Sequence, residues 1–493
     1  MRSLGIIRFL STTWITNELT TASLDDKRLN ERFADVLEDF CNSPNASIPA
    51  ALGGRAELKA AYRFFDNEKV TPEKLLAPHF DATARRCQEQ KIVLFPQDTT
   101  ELNFTRPEQQ VEGAGPIYIS SQYGAFLHLN EAFTEDGTPL GALGAKLWAR
   151  EKPDADTPKL SKAARERKRR ATPIEAKESF RWLEGFRAVQ AFAKTAPDTQ
   201  CISLCDSEGD IYDLLAEERT TDNFHWIIRA CHDRVVLDEH DDTCRTLRDF
   251  MFGLPVLFTN DITARGRKQR VPVNLRSRSK SRDARQTTVA VRADTVLIQV
   301  PDKSKHAVRS VKVNVVFVRE ESPPQGEEAI EWMLLTTLSI STLDDVRQVI
   351  KYYTVRWMIE IFFRTLKSGC RIEERRFETL PRMLACTAIY IIVAWRTLYV
   401  CRLGRSCPEM DCDVIFDSAE WQSVWSVTHR GKELPSRAPP LQEMVRLIAQ
   451  LGGYVDRPNR RDPPGVETVW KGLQRMNDLA WGWQTFGQGA KNK

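Results

Sequence analysis

The sequence predicts an α/β protein in which a mixed sheet with flanking helices lies between helical N- and C-terminal domains. Three observations lead there. Residues 17 to 85 carry apolar side chains at helical spacing, the pattern changes to short apolar strands from Lys91, and helical spacing returns after Leu343. At 493 residues there is room for roughly three domains of about 150 residues each. Hydrophobic residues make up 42% and charged residues 28%, an ordinary globular balance. No apolar run approaches the roughly 18 residues of a membrane span. The weakly apolar start, MRSLGIIRFLSTTW, is broken by Arg8, which argues against a secretory signal. The 11 cysteines are scattered and odd in number, without a C-x-x-C pair, as in a reducing, cytoplasmic compartment.

Taken in order, Ser23, Asp25 or Asp26 caps a helix with Leu29, Phe33, Val36, Leu37 and Phe40 on one face, and a second helix begins near Arg55. KIVLF, GAFLHLNEAF and PLGALGAKLWA then read as strands, with Asp136-Gly137 as the hairpin turn between the last two. Residues 175 to 194 read as a helix with Phe180, Leu183, Phe186 and Val189 on its stripe, and CISLCD as a buried strand. This β-β-β-α-β order, with Asp98 and Asp206 ending the first and fourth strands, is the RNase H-like arrangement. Residues of about 224 to 337 hold five further apolar strands and read as a β-rich insertion. A helix runs from Leu343 to about Gly369, its acidic start suiting the N-terminal end. Another covers residues 380 to 401, residues 402 to 440 read as an irregular connection, and 440 to 485 as helical. The implied domains are 1–85, 86–400 and 401–493.

The net charge of +4 is small, but its distribution is uneven. Nine Lys or Arg stand against one Asp between Arg265 and Arg285, and a second cluster runs from Lys162 to Arg170. One such run is ordinarily a solvated face; two flanking carboxylate-bearing segments suggest attraction to a polyanion.

The helix after Leu343 carries the sharpest signal. Tyr353, Arg356, Glu360 and Lys367 fall within an arc of about 60° at helical spacing. Trp357, Ile361, Phe362 and Leu366 flank this stripe and supply packing. Taken alone, Glu360 with Arg356 is an ordinary i,i+4 ion pair. With two strand-end aspartates also needing a partner, the combination suits phosphodiester cleavage, in which two Mg²⁺ or Mn²⁺ ions about 4 Å apart activate water and stabilise the leaving oxygen. Tyr353, Arg356 and Lys367 would then face phosphates on the same side.

The segment Tyr353-x2-Arg356-x3-Glu360-x6-Lys367 resembles the Y-R-E-K signature of bacterial insertion-sequence DDE transposases, the family that includes the transposon-five transposase. PQDTTELNF around Asp98, CDSEGDIYDLL around Asp206, WMLLTT around Trp332, DDKRLNERF, AYRFF, LGGYVDR and PGVETVWKGL extend the resemblance over nearly the whole chain. It implies an N-terminal domain binding double-stranded transposon ends, a catalytic domain and a C-terminal dimerisation region. It also implies cut-and-paste transposition through a hairpin intermediate into target DNA, by a homodimer on the bacterial nucleoid. Asp98, Asp206 and Glu360 are the implied metal ligands; Tyr353, Arg356 and Lys367 the implied phosphate contacts; Trp332 the residue that stacks on a flipped base. Arg28 and Arg32 match the end-binding helix. Two positions depart from the family pattern: Ile361 replaces a second Glu, and Leu29 a basic residue. Two other readings compete: a non-catalytic DNA-binding relative, and a nuclease that cleaves without strand transfer.

Overall fold

The computed structural model describes residues 12–486 apart from 120, 153–160, 238–243, 265, 267–282, 302–305, 431 and 457–461. Most of the basic stretch between Arg265 and Arg285 therefore lies outside the described residues. Five helices come first: α1 (Thr12–Glu18), α2 (Lys27–Asn42), α3 (Ile48–Ala51), α4 (Arg55–Phe65) and α5 (Pro72–Gln88). Asp26 caps α2 by accepting the N–H of Arg28, and Phe33, Val36, Leu37 and Phe40 form its buried face.

The chain then forms β1 (Ile92–Asn103), β2 (Gly115–Pro116), β3 (Tyr123–Phe133), β4 (Pro139–Trp148), α6 (Lys162–Ala171), α7 (Phe180–Thr195) and β5 (Gln200–Cys205). Next come α8 (Tyr212–Leu215), β6 (Phe224–Arg229), β7 (Val235–Leu237), β8 (Cys244–Thr246), α9 (Leu247–Gly253), β9 (Phe258–Ala264), β10 (Arg285–Gln299), β11 (Ser310–Glu320) and β12 (Glu331–Thr336). The remainder is helical: α10 (Leu343–Val355), α11 (Trp357–Arg364), α12 (Leu380–Ser406), α13 (Ser418–Thr428), α14 (Leu441–Leu451) and α15 (Val466–Phe486).

The described strands form one mixed sheet in the order β2-β3-β1-β5-β6-β12-β11-β10-β7-β8, with β4 on β3 and β9 on β10. β1, β5 and β6 run parallel, and β3 and β12 flank them antiparallel. Alternation along β1 sends Leu94 to one face and Val93 and Phe95 to the other, so both faces are covered, as expected for a parallel centre. α7 packs Trp182, Leu183, Phe186 and Val189 on the Phe95 face, while α10, α11 and α12 cover the Leu94 face.

β6 pairs in parallel with β5, and β12 and β11 continue the same sheet, so the strands of 224–337 extend it. Three expectations are corrected. Asp98 lies inside β1, because pairing with β3 continues to Asn103 after the apolar run stops. α13 occupies part of the supposed connection 402–440, started by a reciprocal cap between Asp417 and Glu420. Finally, α12 is long and apolar enough to cross a membrane by composition, Arg396 being the one charged residue between Met383 and Val400. It is instead the central core helix, with most of its side chains buried all round its circumference.

Candidate active site

Parallel pairing between β1 and β5 ends at Gln97 opposite Cys205, so the next residues, Asp98 and Asp206, emerge side by side. Beyond Cys205 the chain turns into a short 3₁₀ segment that Asp206 caps, its Oδ1 accepting the N–H of Glu208 at 2.8 Å. The Asp98 Oδ1 accepts the N–H of Thr99 at 2.7 Å. Alternation places Asp98 on the face covered by α11. There the Arg356 guanidinium lies between two carboxylates, with Nη2 2.8 Å from Glu360 Oε1 and Nη1 3.4 Å from Asp98 Oδ2. Burial, and then the adjacent Asp206 carboxylate, push Asp98 up to about 7 against the pull of Arg356. Tyr353, Glu360 and Asp98 together outweigh the burial of Arg356 and hold it firmly charged.

The predicted single helix divides at Arg356, whose N–H bonds back three residues to Tyr353. α11 thus starts anew, and its first residue, Trp357, is 48% exposed rather than packed. Tyr353 is buried, its hydroxyl pushed up to about 12 by that burial, and its ring meets the Trp332 ring edge-on with centroids 5.6 Å apart. Trp332, Tyr353, Arg356, Trp357, Arg229 and Arg248 line a cleft of about 1070 Å³. Sequence reasoning missed Trp357, Arg229 and Arg248. The indole was read as a packing residue, and the two arginines come from β6 and α9, in the region read as an insertion.

The structure therefore brings Asp98, Asp206, Glu360, Tyr353, Arg356 and Trp332 to one place. Lys367 lies in a π-helical turn, Thr365–Gly369, and pairs with Glu373 at 3.5 Å. The Glu373 Oε1 also accepts the N–H of Asn103 at the end of β1. Arg28 and Arg32 sit on α2 beside Asp26 and Asp35, and neither lines the cleft.

Three carboxylates are hard oxygen donors, and one of them, Asp98, is raised by burial and then by the Asp206 carboxylate, a cost of ionisation that a divalent cation would relieve. The donor set fits Mg²⁺ or Mn²⁺. Among the described residues, the His, Cys or carboxylate group whose ligand atoms all lie within 4.8 Å of one another is a different one, Asp210, Cys231 and His232. Asp210 is already engaged, by Arg234 and by the N–H groups of Cys231 and His232 at 2.8 and 2.9 Å. That cluster anchors a loop. The three carboxylates are more widely spread, with Arg356 among them.

Comparison with known families gives three matches in order along the chain. Residues 11–70 match the model described as Transposase DNA-binding, 187–394 match Transposase DDE domain, and 392–485 match Transposase Tn5 dimerisation domain. Asp206 and Glu360 fall inside the second match, and Asp98 precedes it. A solved structure, the cryo-EM structure of piggyBac transposase synaptic complex with hairpin DNA, is similar with a TM-score of 0.35 at 10% identity, covering 91% of this chain and 79% of that one.

Proposed function

Since the chain is a DDE transposase with a Tn5-like order of parts, we propose that it catalyses cut-and-paste transposition from the Asp98–Asp206–Glu360 site. The observation that carries this reading is the emergence of Asp98 and Asp206 from adjacent parallel strands beneath the α11 turn bearing Glu360. The central order β4-β3-β1-β5-β6 supports an RNase H-like core, with β7–β12 as its extension. The proposed domains are 1–85 for end binding, 86–400 for catalysis and 401–493 for dimerisation.

Asp98, Asp206 and Glu360 hold two divalent ions, Mg²⁺ or Mn²⁺, which supply charge to activate the attacking oxygen and to stabilise the leaving one. Arg356, already at the carboxylates, turns its planar fork to a phosphate when DNA arrives, with Tyr353 beside it, and Lys367 contacts a phosphate from its own turn further along the chain. Trp332, backed by the Tyr353 ring, stacks on a base displaced as the hairpin forms. Arg28 and Arg32 contact the terminal repeats. The protein acts as a homodimer on double-stranded DNA, in the cytoplasm at the nucleoid.

The test uses DNA carrying the repeats that flank the coding sequence. The wild type is expected to nick it with Mg²⁺ and to join cut ends to a target plasmid. Asp98→Ala, Asp206→Ala and Glu360→Ala are each expected to lose both steps. Wild-type cleavage by any of the three would overturn the assignment, and cleavage without joined products would leave a nuclease that does not transfer strands.

A further inference from the structure

Behind the two aspartates, on the α7 side of the sheet, runs a continuous hydrogen-bond chain. Arg181 of α7 donates through Nη2 to Glu208 Oε2 at 2.9 Å and through Nε to Thr99 Oγ1 at 2.7 Å. Because Gln97 Oε1 can only accept, a neutral His128 carries its proton on Nε2, and the Thr99 hydroxyl donates to its Nδ1 at 2.8 Å. His128 Nε2 then donates to Gln97 Oε1 at 3.1 Å. The Gln97 amide in turn donates to Ser203 Oγ at 3.2 Å and to Cys205 Sγ at 3.3 Å. The donors run in one direction and need a neutral His128. Burial, with Arg181 and Lys146 nearby, keeps it so.

The members of this chain are placed with respect to the reactive carboxylates. Gln97 and Thr99 are the residues on either side of Asp98, and Cys205 and Glu208 bracket Asp206. Gln97, Ser203 and Cys205 are fully buried, and His128 and Arg181 nearly so. Apolar residues would fill such positions at less desolvation cost, whereas a fully satisfied polar network fixes one geometry. Metal ligands need that precision, to about 0.5 Å. The approach of α7 is also specific: a Cβ on Gly185 would stand 2.3 Å from Gln97 Oε1.

We infer that Arg181, Thr99, His128 and Gln97 form a positioning circuit that sets the separation of Asp98 and Asp206 for divalent-metal binding. This rests on the carboxylates being the metal site. No family match assigns a role to the circuit.

The test measures, on full-length protein, the rise in melting temperature caused by Mn²⁺ without DNA, and the Mn²⁺ concentration giving half-maximal nicking. Wild type and Asp206→Asn come first. A wild-type rise that Asp206→Asn abolishes upholds the metal site; no rise in the wild type overturns that reading and the circuit with it. Given a wild-type rise, Thr99→Val and Arg181→Lys should each need about tenfold more Mn²⁺ in both assays, the range found when partners of metal ligands are removed. Thr99→Ser, which keeps the hydroxyl, should recover the wild-type Mn²⁺ dependence, a result that a packing role would not give. Titrations of Arg181→Lys and Thr99→Val that superimpose on the wild type overturn the circuit while leaving the metal site intact. If Thr99→Val does not fold, Arg181→Lys alone decides.

Discussion

Arg356, at the start of α11, faces Glu360 one turn on, with the guanidinium 2.8 Å from the carboxylate and its other arm reaching Asp98. The arginine is 13% and the glutamate 35% exposed, so the contact is partly desolvated. Removing it leaves carboxylates facing one another without a counter-charge. Arg356→Ala should destabilise the metal-free protein by roughly 2–4 kcal/mol, and Mn²⁺ should restore part of the loss. Urea unfolding with and without Mn²⁺ measures both, and a deficit unchanged by Mn²⁺ would contradict the arrangement. Nicking should fall about 100-fold.

Trp332 rests edge-on against Tyr353 while remaining partly open to the cleft. Trp332→Ala should cost about 1 kcal/mol of stability from the lost ring pair. Hairpin formation on end DNA should slow about tenfold, in keeping with a base stack of 1–3 kcal/mol, and Trp332→Phe should recover most of it. A 2-aminopurine at the displaced position reports the contact directly; equal quenching in wild type and Trp332→Ala would rule it out.

Glu18 is buried against His79 and Arg86. His79 accepts the N–H of Ala142 on Nε2, which fixes its proton on Nδ1 and makes it a neutral donor to Glu18. Although burial pushes Glu18 up, the hydrogen bonds from His79 and Arg86 and the Arg86 charge hold the carboxyl below its ordinary 4.5. Its contribution to stability is therefore complete above that ordinary value and declines as pH falls below it. Glu18→Gln should flatten that acid limb in urea titrations. Parallel curves for the two proteins would refute the pairing.

Glu131 is fully buried and neither of its oxygens has a hydrogen-bond partner. Burial raises its carboxyl well above the ordinary 4.5. The sign is opposite to that of Glu18: the folded protein binds a proton that the unfolded chain releases, so stability falls as pH rises above 4.5. Glu131→Gln should be more stable than wild type at pH 7, by an amount growing about 1.4 kcal/mol per pH unit until the folded carboxyl ionises. Equal stability at pH 4 and pH 7 would contradict this.

Gly185 lies mid-helix in α7, where alanine ordinarily gains about 1 kcal/mol. Here the added methyl would stand 2.3 Å from Gln97 Oε1. Gly185→Ala should instead destabilise by about 1–3 kcal/mol through overpacking. A variant as stable as wild type in urea would show that α7 can shift without disturbing Gln97.

The sequence made the elements near the site readable because their signals are local. Helical spacing showed α2, α7 and the segment bearing Glu360, and the Asp136-Gly137 turn showed the β3–β4 hairpin. It was silent on which strands become neighbours: nothing in FHWIIRA says that β6 pairs with β5, since both faces of either strand are apolar. Trp357 was read as packing because it flanks the polar stripe, but helical spacing does not say whether a partner covers that flank, and the indole is 48% exposed. The capping pair of α13, Asp417 and Glu420, stands three apart in the sequence, but the surrounding Cys, Ser and Pro residues dilute the helical pattern. Arg181 and Thr99 are 82 positions apart, and no short motif marks residues that meet only through the sheet.

α12 touches the N-terminal helices, β4 and the C-terminal helices alike. Because it spans residues 380–406, a ribosome has made most of the chain before this helix emerges. Until then, Leu94, Leu127, Leu129 and the buried faces of α2 and α4 lack the surface they finally share. Their local structure can form early, but cooperative closure must wait for nearly full-length synthesis, leaving apolar surface exposed in the interval. Fragments ending before α12 should therefore accumulate as aggregates or be degraded, giving translation itself a check against releasing a partial enzyme onto DNA.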